Sequence, residues 1–440
     1  MAALLASLCA PSYGAAPGAA PAVNEAAMTL DIRRVLELVA ERNSAVAAAR
    51  RGVSVAEQGI NTANAAKLPD INAALSVNYL GDITILDRDF TNATRAPMPH
   101  LGNSLELSVY QPVYTGGTIT AGVELAKSAS RLSLNTLEQT RQTMGIQAVG
   151  CYLELFKASN LLGVYDENIA ITEKLIAEMR ARHQEGVVLK NDITRYELRL
   201  STLKYDRLTL ANRIAVLNHD LCVLLSLPEG TAIATDIDSD LRSLPLLQTK
   251  EHWRESSAQN SLALKALDIQ KDMNLQRRKI IKAEYLPKVG LVAGDKLSGP
   301  IDFEIPVINN NYNFWYVGVN VQYSLSSLFK TPKSVRQNLL EYEEITAGKD
   351  AAADNLERAI DNSYTLYTQA YDMLATEEKN VELAAENYRV VENRYNNQLA
   401  LLTDMLDAST AKLDADVRLV NARVNIIYYY YQLKYNSNTL

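Results

Sequence analysis

The chain has 440 residues, with 51 acids against 44 bases, which leaves no nucleic-acid signature. Its three cysteines, Cys9, Cys151 and Cys222, fit neither a disulfide framework nor a metal-ligand spacing. The four histidines are scattered, and no nucleophile–base pair or phosphate loop stands out, so neither an enzyme nor a cofactor is expected.

Residues 1–27 read as an export signal: their first 22 residues are small, apolar and uncharged, although a positively charged start is missing. Leu8 is bulkier than the residue that usually precedes a lipidated cysteine, which argues against lipid on Cys9. Elsewhere no run of about 20 apolar residues predicts a transmembrane helix. A first structural repeat is expected over 28–228. Ile32, Val35, Leu36 and Val39 recur at helical spacing, so 28–66 reads as a helix capped by Thr29 or Asp31. Lys67-Leu68-Pro69 stops it.

The period then changes to two. Ile71, Ala73, Leu75, Val77 and Tyr79 alternate with polar or small residues, predicting a strand over 70–80. A polar loop at about 81–102 leads to a second strand, 104–114, interrupted by Pro112 near its end. From 118 to 184 there is no proline, and the spacing predicts one long helix, with small breaks at Gly145, Gly150 and Gly163. A turn at 185–192 and a return helix ended by Pro228 follow, then a linker over 229–250 that contains Pro245.

The order then repeats over 251–440: a helix over 252–283, Leu286-Pro287, strands at 288–296 and 314–325, a long helix from 334, a turn at 396–404 and a return helix. The two turns align at a shift of 212, which puts Arg394 on Arg182, Leu401 on Leu189 and Asp404 on Asp192. The strands have the length of tilted bilayer-spanning strands and alternate apolar with polar, as a barrel with a wet lumen demands. Tyr79, Tyr110, Tyr114, Tyr285, Trp315, Tyr316 and Tyr323 lie at or near strand ends, where an aromatic girdle belongs. Four strands cannot close a membrane barrel, so two or three copies would have to share one. Without a membrane, the same pattern would describe a coiled-coil structural or filament-forming surface protein.

The duplicated order, the Leu-Pro before each first strand, the segment Gln111-Pro112-Val113-Tyr114-Thr115-Gly116-Gly117 and the turn motifs together resemble the TolC-type outer-membrane efflux proteins of Gram-negative bacteria. The resemblance covers essentially the whole mature chain. It implies a mainly α homotrimer with a small β part. Its twelve-strand barrel in outer-membrane lipid would continue into a long periplasmic helical tunnel, with Pro69, Pro112 and Pro287 at the junction. The tunnel would dock on a periplasmic adaptor joined to an inner-membrane transporter and pass drugs, small molecules or secreted proteins.

Within that resemblance Asp404 and Asp407 match acids that line the tunnel entrance. Read from the residues alone, they are equally an N-cap acid and a first-turn acid. Tyr395 and Asp192 match two members of a family latch whose arginine position falls on Ala400, with Arg394 nearby. Closure would then rest on packing by Leu399, Leu401 and Leu402. Gly186, Val187, Val188 and Leu189, with Leu399, Ala400 and Leu401, match adaptor-docking tips, or else pack within their own turns.

Overall fold

The computed structural model describes residues 28–237, 248–304, 307–397 and 399–440. The expected export segment, Cys9 and Pro245 lie outside them. In chain order the elements are β1 (Met28–Leu30), α1 (Ile32–Arg42), α2 (Ser44–Ala65), β2 (Asp70–Tyr79), β3 (Ile83–Ile85), β4 (Thr94–Ala96) and β5 (Leu101–Tyr114). Then come α3 (Thr118–Gln184), α4 (Lys190–Leu225), β6 (Ile233–Thr235), α5 (Lys250–Asn260) and α6 (Leu262–Ala283). The chain ends with β7 (Lys288–Gly299), β8 (Tyr312–Gln322), α7 (Ser327–Asn396) and α8 (Leu402–Asn436).

Several expected elements are corrected. The first helix does not begin at 28: residues Met28–Leu30 pair in parallel with Ile233–Thr235 inside the expected linker. Asp31 then caps α1 by accepting the Arg34 N–H at 2.8 Å. Asn43 breaks the helix, because its side chain accepts from Ala45 and Val46 and starts α2. Ser261 divides the corresponding helix of the second half in the same way, accepting from Leu264. The polar loop at 81–102 contains a small hairpin, β3 with β4.

The glycines do not interrupt α3. At Gly145 a Cβ would lie 3.0 Å from both Leu36 and Leu440 side chains, so the residue permits close packing rather than a break. Nor does α7 wait for residue 334. It starts at Ser327 and runs through Pro332, whose missing N–H leaves only the carbonyl of the exposed Leu328 without its helical donor. By length and composition α4 could cross a membrane, contrary to the sequence expectation. Its ion pairs Arg213–Glu154 and Lys204–Glu173 instead tie it to α3, as one arm of a helical pair.

At one end, four antiparallel strands form a sheet in the order β2-β5-β7-β8. The ladders put Ile71, Leu75, Leu105, Leu107, Val109, Leu291, Val317 and Val319 on one face. Asn72, Ser76, Ser104, Glu106, Ser108, Lys296 and Asn320 lie on the other. Strand β2 is exposed on both faces along its whole length. The sheet is therefore mainly apolar on one side, interrupted there by Asn103 and by Asp295, which accepts from Asn313 at 2.7 Å, and mainly polar on the other, with free edges at β2 and β8. Pro112 stands where the β5–β7 ladder shifts register, so its missing donor costs the ladder little.

Tyr79 and Trp315 project from the apolar face toward the loop end of the sheet, and Tyr114, Tyr285 and Tyr323 lie at the helix end. Tyr110 and Tyr316 do not belong with this girdle. They lie on the polar face and cover Gly290 and Gly294, where an added Cβ would collide with their rings. From the sheet, α3 and α7 run for 67 and 70 residues, about 100 Å each at 1.5 Å per residue. Midway, the hydroxyl of buried Tyr152 donates to Leu30 O at 2.8 Å and accepts the Asp236 N–H at 2.9 Å, locking β1 and β6 onto α3.

Candidate functional site

Both long helices end in a turn of the same build, at the end farthest from the sheet. Gly186, with φ of 79°, lets the first turn leave α3 in the left-handed conformation that glycine adopts without steric cost. The Val187 N–H then donates back to Arg182 O at 3.0 Å. In the second turn the Leu399 N–H donates to Arg394 O at 2.8 Å, the same bond 212 positions later. His183 braces the first turn, its Nδ1–H donating to Val188 O at 2.6 Å.

Beneath the turns lies a small core. Ile176 and Met179 from α3, Ile193 and Tyr196 from α4, and Met405 from α8 are buried. Val188, Leu402, Tyr388, Val391 and Tyr395 pack around them, half-buried. The Tyr196 hydroxyl is buried without a hydrogen-bond partner among the described residues, and burial pushes its pKa up.

The expected tip residues divide between two roles. Val187, Leu189, Leu399 and Leu401 are 52%, 71%, 74% and 70% exposed. Gly186 is exposed as well, and Ala400 is half-buried. Val188 instead turns inward. Of the three leucines expected to pack the entrance shut, only Leu402 packs inward; Leu399 and Leu401 face out.

The contacts at the expected latch positions differ from the expectation. Arg394 is exposed and makes no ion pair among the described residues. It is Arg182 that reaches across: its Nη2 donates to Asn396 Oδ1 at 3.2 Å, and its guanidinium carbon lies 6.0 Å from the Tyr395 ring centre. Burial raises the pKa of the Tyr395 phenol, the Arg182 guanidinium opposes that shift, and the Asp192 carboxylate adds to it. Arg182, not Arg394, lies against the Tyr395 ring, and the Asp192 carboxylate acts on Tyr395 through its charge alone. The pairing of Arg182 with Arg394 in the repeat alignment was the available signal. Asn396 carried none.

Asp404 and Asp407 are both exposed near the start of α8. The Asp404 carboxylate accepts the Leu401 N–H at 2.9 Å, so it closes the first turn of the helix. Asp407 lies one turn further, on the same face.

The family model for outer membrane efflux proteins matches residues 35–195 and 253–434, one match in each half of the duplication. A curated relative, the outer membrane efflux protein BepC of Brucella suis, is 21% identical over 417 residues, covering 93% of this chain and 85% of its own length. Among solved structures, the fold is similar to VceC of Vibrio cholerae, with a TM-score of 0.73 at 15% identity, covering 92% of this chain and 96% of that one. It is also similar to the open state of the Neisseria gonorrhoeae MtrE channel, with a TM-score of 0.72 at 12% identity, covering 93% and 88%. The alternative of a non-membrane rod is set aside. The chain belongs to the outer membrane efflux protein family, and it is a TolC-like efflux channel of the outer membrane, with no enzymatic role.

Proposed function

We propose that the channel is a passive homotrimeric duct. Three copies contribute four strands each to one barrel and their long helices to one periplasmic tunnel. The exposed apolar residues Val187, Leu189, Leu399 and Leu401 dock on a periplasmic adaptor, which links the tunnel to an inner-membrane transporter. Drugs, small molecules or secreted proteins then pass outward without chemistry on the duct itself. The observation that carries this reading is the pair of equivalent turns at the end away from the sheet, which expose apolar side chains where polar ones are expected.

In a trimer the turns would surround the entrance, and Asp404 and Asp407 would add six carboxylates to its rim. Such a ring concentrates cations and repels anions. Replacing both by Asn is expected to reduce cation preference severalfold in bilayer conductance measurements. Unchanged selectivity would return both residues to the role of helix-start acids.

A further inference from the structure

The polar face of the sheet carries more rings than Tyr110 and Tyr316. The β7–β8 ladder puts Tyr312, Phe314 and Tyr316 on that face in one row along β8. Phe314 and Tyr316 stack, with ring centres 6.1 Å apart and planes 29° from parallel. Strand β7 then presents Gly290, Val292 and Gly294 in succession, with the Tyr110 ring on the first and the Tyr316 ring on the last. Four rings and one valine thus form a continuous track. It runs about 20 Å up the wall, at about 3.4 Å per residue.

Two of the rings are held flat against that wall. Gly290 and Gly294 carry no side chain, so Tyr110 and Tyr316 lie across them, and an added Cβ at Gly294 would meet the Tyr316 ring at 2.6 Å. One face of each ring covers its glycine, which leaves the other face open. Covering glycines accounts for these two rings only. Phe314 stands opposite Lys296 and Tyr312 opposite Ser298, and Phe314 is 58% exposed. An exposed phenylalanine on the polar side of the sheet, stacked on a flat tyrosine, enlarges the platform rather than the packing of the strands.

Charged groups flank the track. Asp70 lies opposite Tyr110, and Glu106 lies opposite Lys296, next to Phe314. Lys288, on the same face, is tied to Glu284 at 3.0 Å. Each copy therefore sets two carboxylates against one untied ammonium beside the rings, and ring faces themselves attract cations. We propose that the track is a cargo subsite of the barrel, which holds planar aromatic cations in transit by stacking on Tyr110, Phe314 and Tyr316 while Asp70 and Glu106 meet their charge. This rests on the duct proposed above, in which the polar face lines the lumen. A cargo molecule is the occupant because this face is the wall of the passage, and its open ring faces and excess carboxylate match a flat cation. Stacking tolerates many ring systems, since each offers a π-face.

The test records the full-length channel in planar bilayers with ethidium, a planar aromatic cation, added on the side of the barrel. Reversible current blockades are expected, and Phe314→Ser with Tyr316→Ser is expected to shorten them about tenfold. Tyr316→Phe, which keeps a ring over Gly294, should leave them unchanged. Phe314→Ser alone uncovers no glycine, so it should assemble even where the double variant does not, and it should shorten the blockades about threefold. Tetraethylammonium, a cation without a ring, should give the same current in every variant. Equal blockade lifetimes in the wild type and in Phe314→Ser overturn the subsite and leave the duct intact. Blockades lost with Asp404→Asn and Asp407→Asn but kept without the rings place the cation at the entrance and overturn the subsite likewise. Naphthalene sulfonate, a planar aromatic anion, blocking for as long as ethidium overturns the role of the carboxylates. A chain that conducts as a monomer overturns the duct reading itself.

Discussion

The guanidinium of Arg182 holds the two helical hairpins through one hydrogen bond to Asn396 and one ring contact to Tyr395. Each is worth about 0.5–1 kcal/mol at a partly exposed site. The tie therefore totals about 1–2 kcal/mol. Arg182→Ala is expected to loosen the entrance and raise its open population about fivefold to thirtyfold, since 1.4 kcal/mol is a factor of ten. Arg394→Ala should leave it unchanged. Single-channel recordings in planar bilayers, scored for open time, distinguish the two. Equal effects of both substitutions would deny Arg182 its role.

Among the elements, the helix divisions show what the sequence could and could not disclose. Asn43 is 4% exposed, accepts from two amides at the start of α2 and donates its Nδ2–H to Leu224 O at 2.9 Å. Ser261 makes only the cap, one bond to Leu264 at 3.2 Å. Asn43→Ala is expected to cost about 2 kcal/mol, Ser261→Ala about 1 kcal/mol. Proteolysis rates of the periplasmic helices, or thermal unfolding followed by circular dichroism, would order them. Neither division was legible in advance, because the apolar spacing of 28–66 continues across Asn43 and a polar residue inside a helical pattern is not by itself a stop. The strands were legible because alternation over ten residues has no helical reading. The long helices were legible from the absence of proline, yet α7 accepts Pro332 because the carbonyl it orphans belongs to an exposed residue. At the tips the alignment of the two turns exposed the repeated acids and apolar runs. Which arginine crosses to Tyr395 depends on how α3 and α7 meet, and that is a property of packing between residues 214 positions apart.

At the scale of the whole molecule, the channel requires a sheet with two unlike faces to close into a cylinder with lipid outside and water inside. The ladder places Val109 on the apolar face of a central strand, between Ile71 and Ala293, and its neighbour Ser108 on the polar face. A charge at the first position would meet hydrocarbon, and at the second it would meet the lumen. The penalty for arginine on the lipid face near the midplane is about 2–4 kcal/mol, and every copy in the barrel would bear it. Val109→Arg is therefore expected to reduce recovery of folded, heat-modifiable oligomer from outer membranes. Ser108→Arg is expected to leave assembly intact and lower cation conductance, because it adds positive charge to the pore wall. The comparison isolates the facing of the sheet from arginine's general cost to a strand, since the two positions are adjacent in the same strand. Assembly lost at Ser108 and kept at Val109 would mean that the polar face meets the lipid, reversing the barrel.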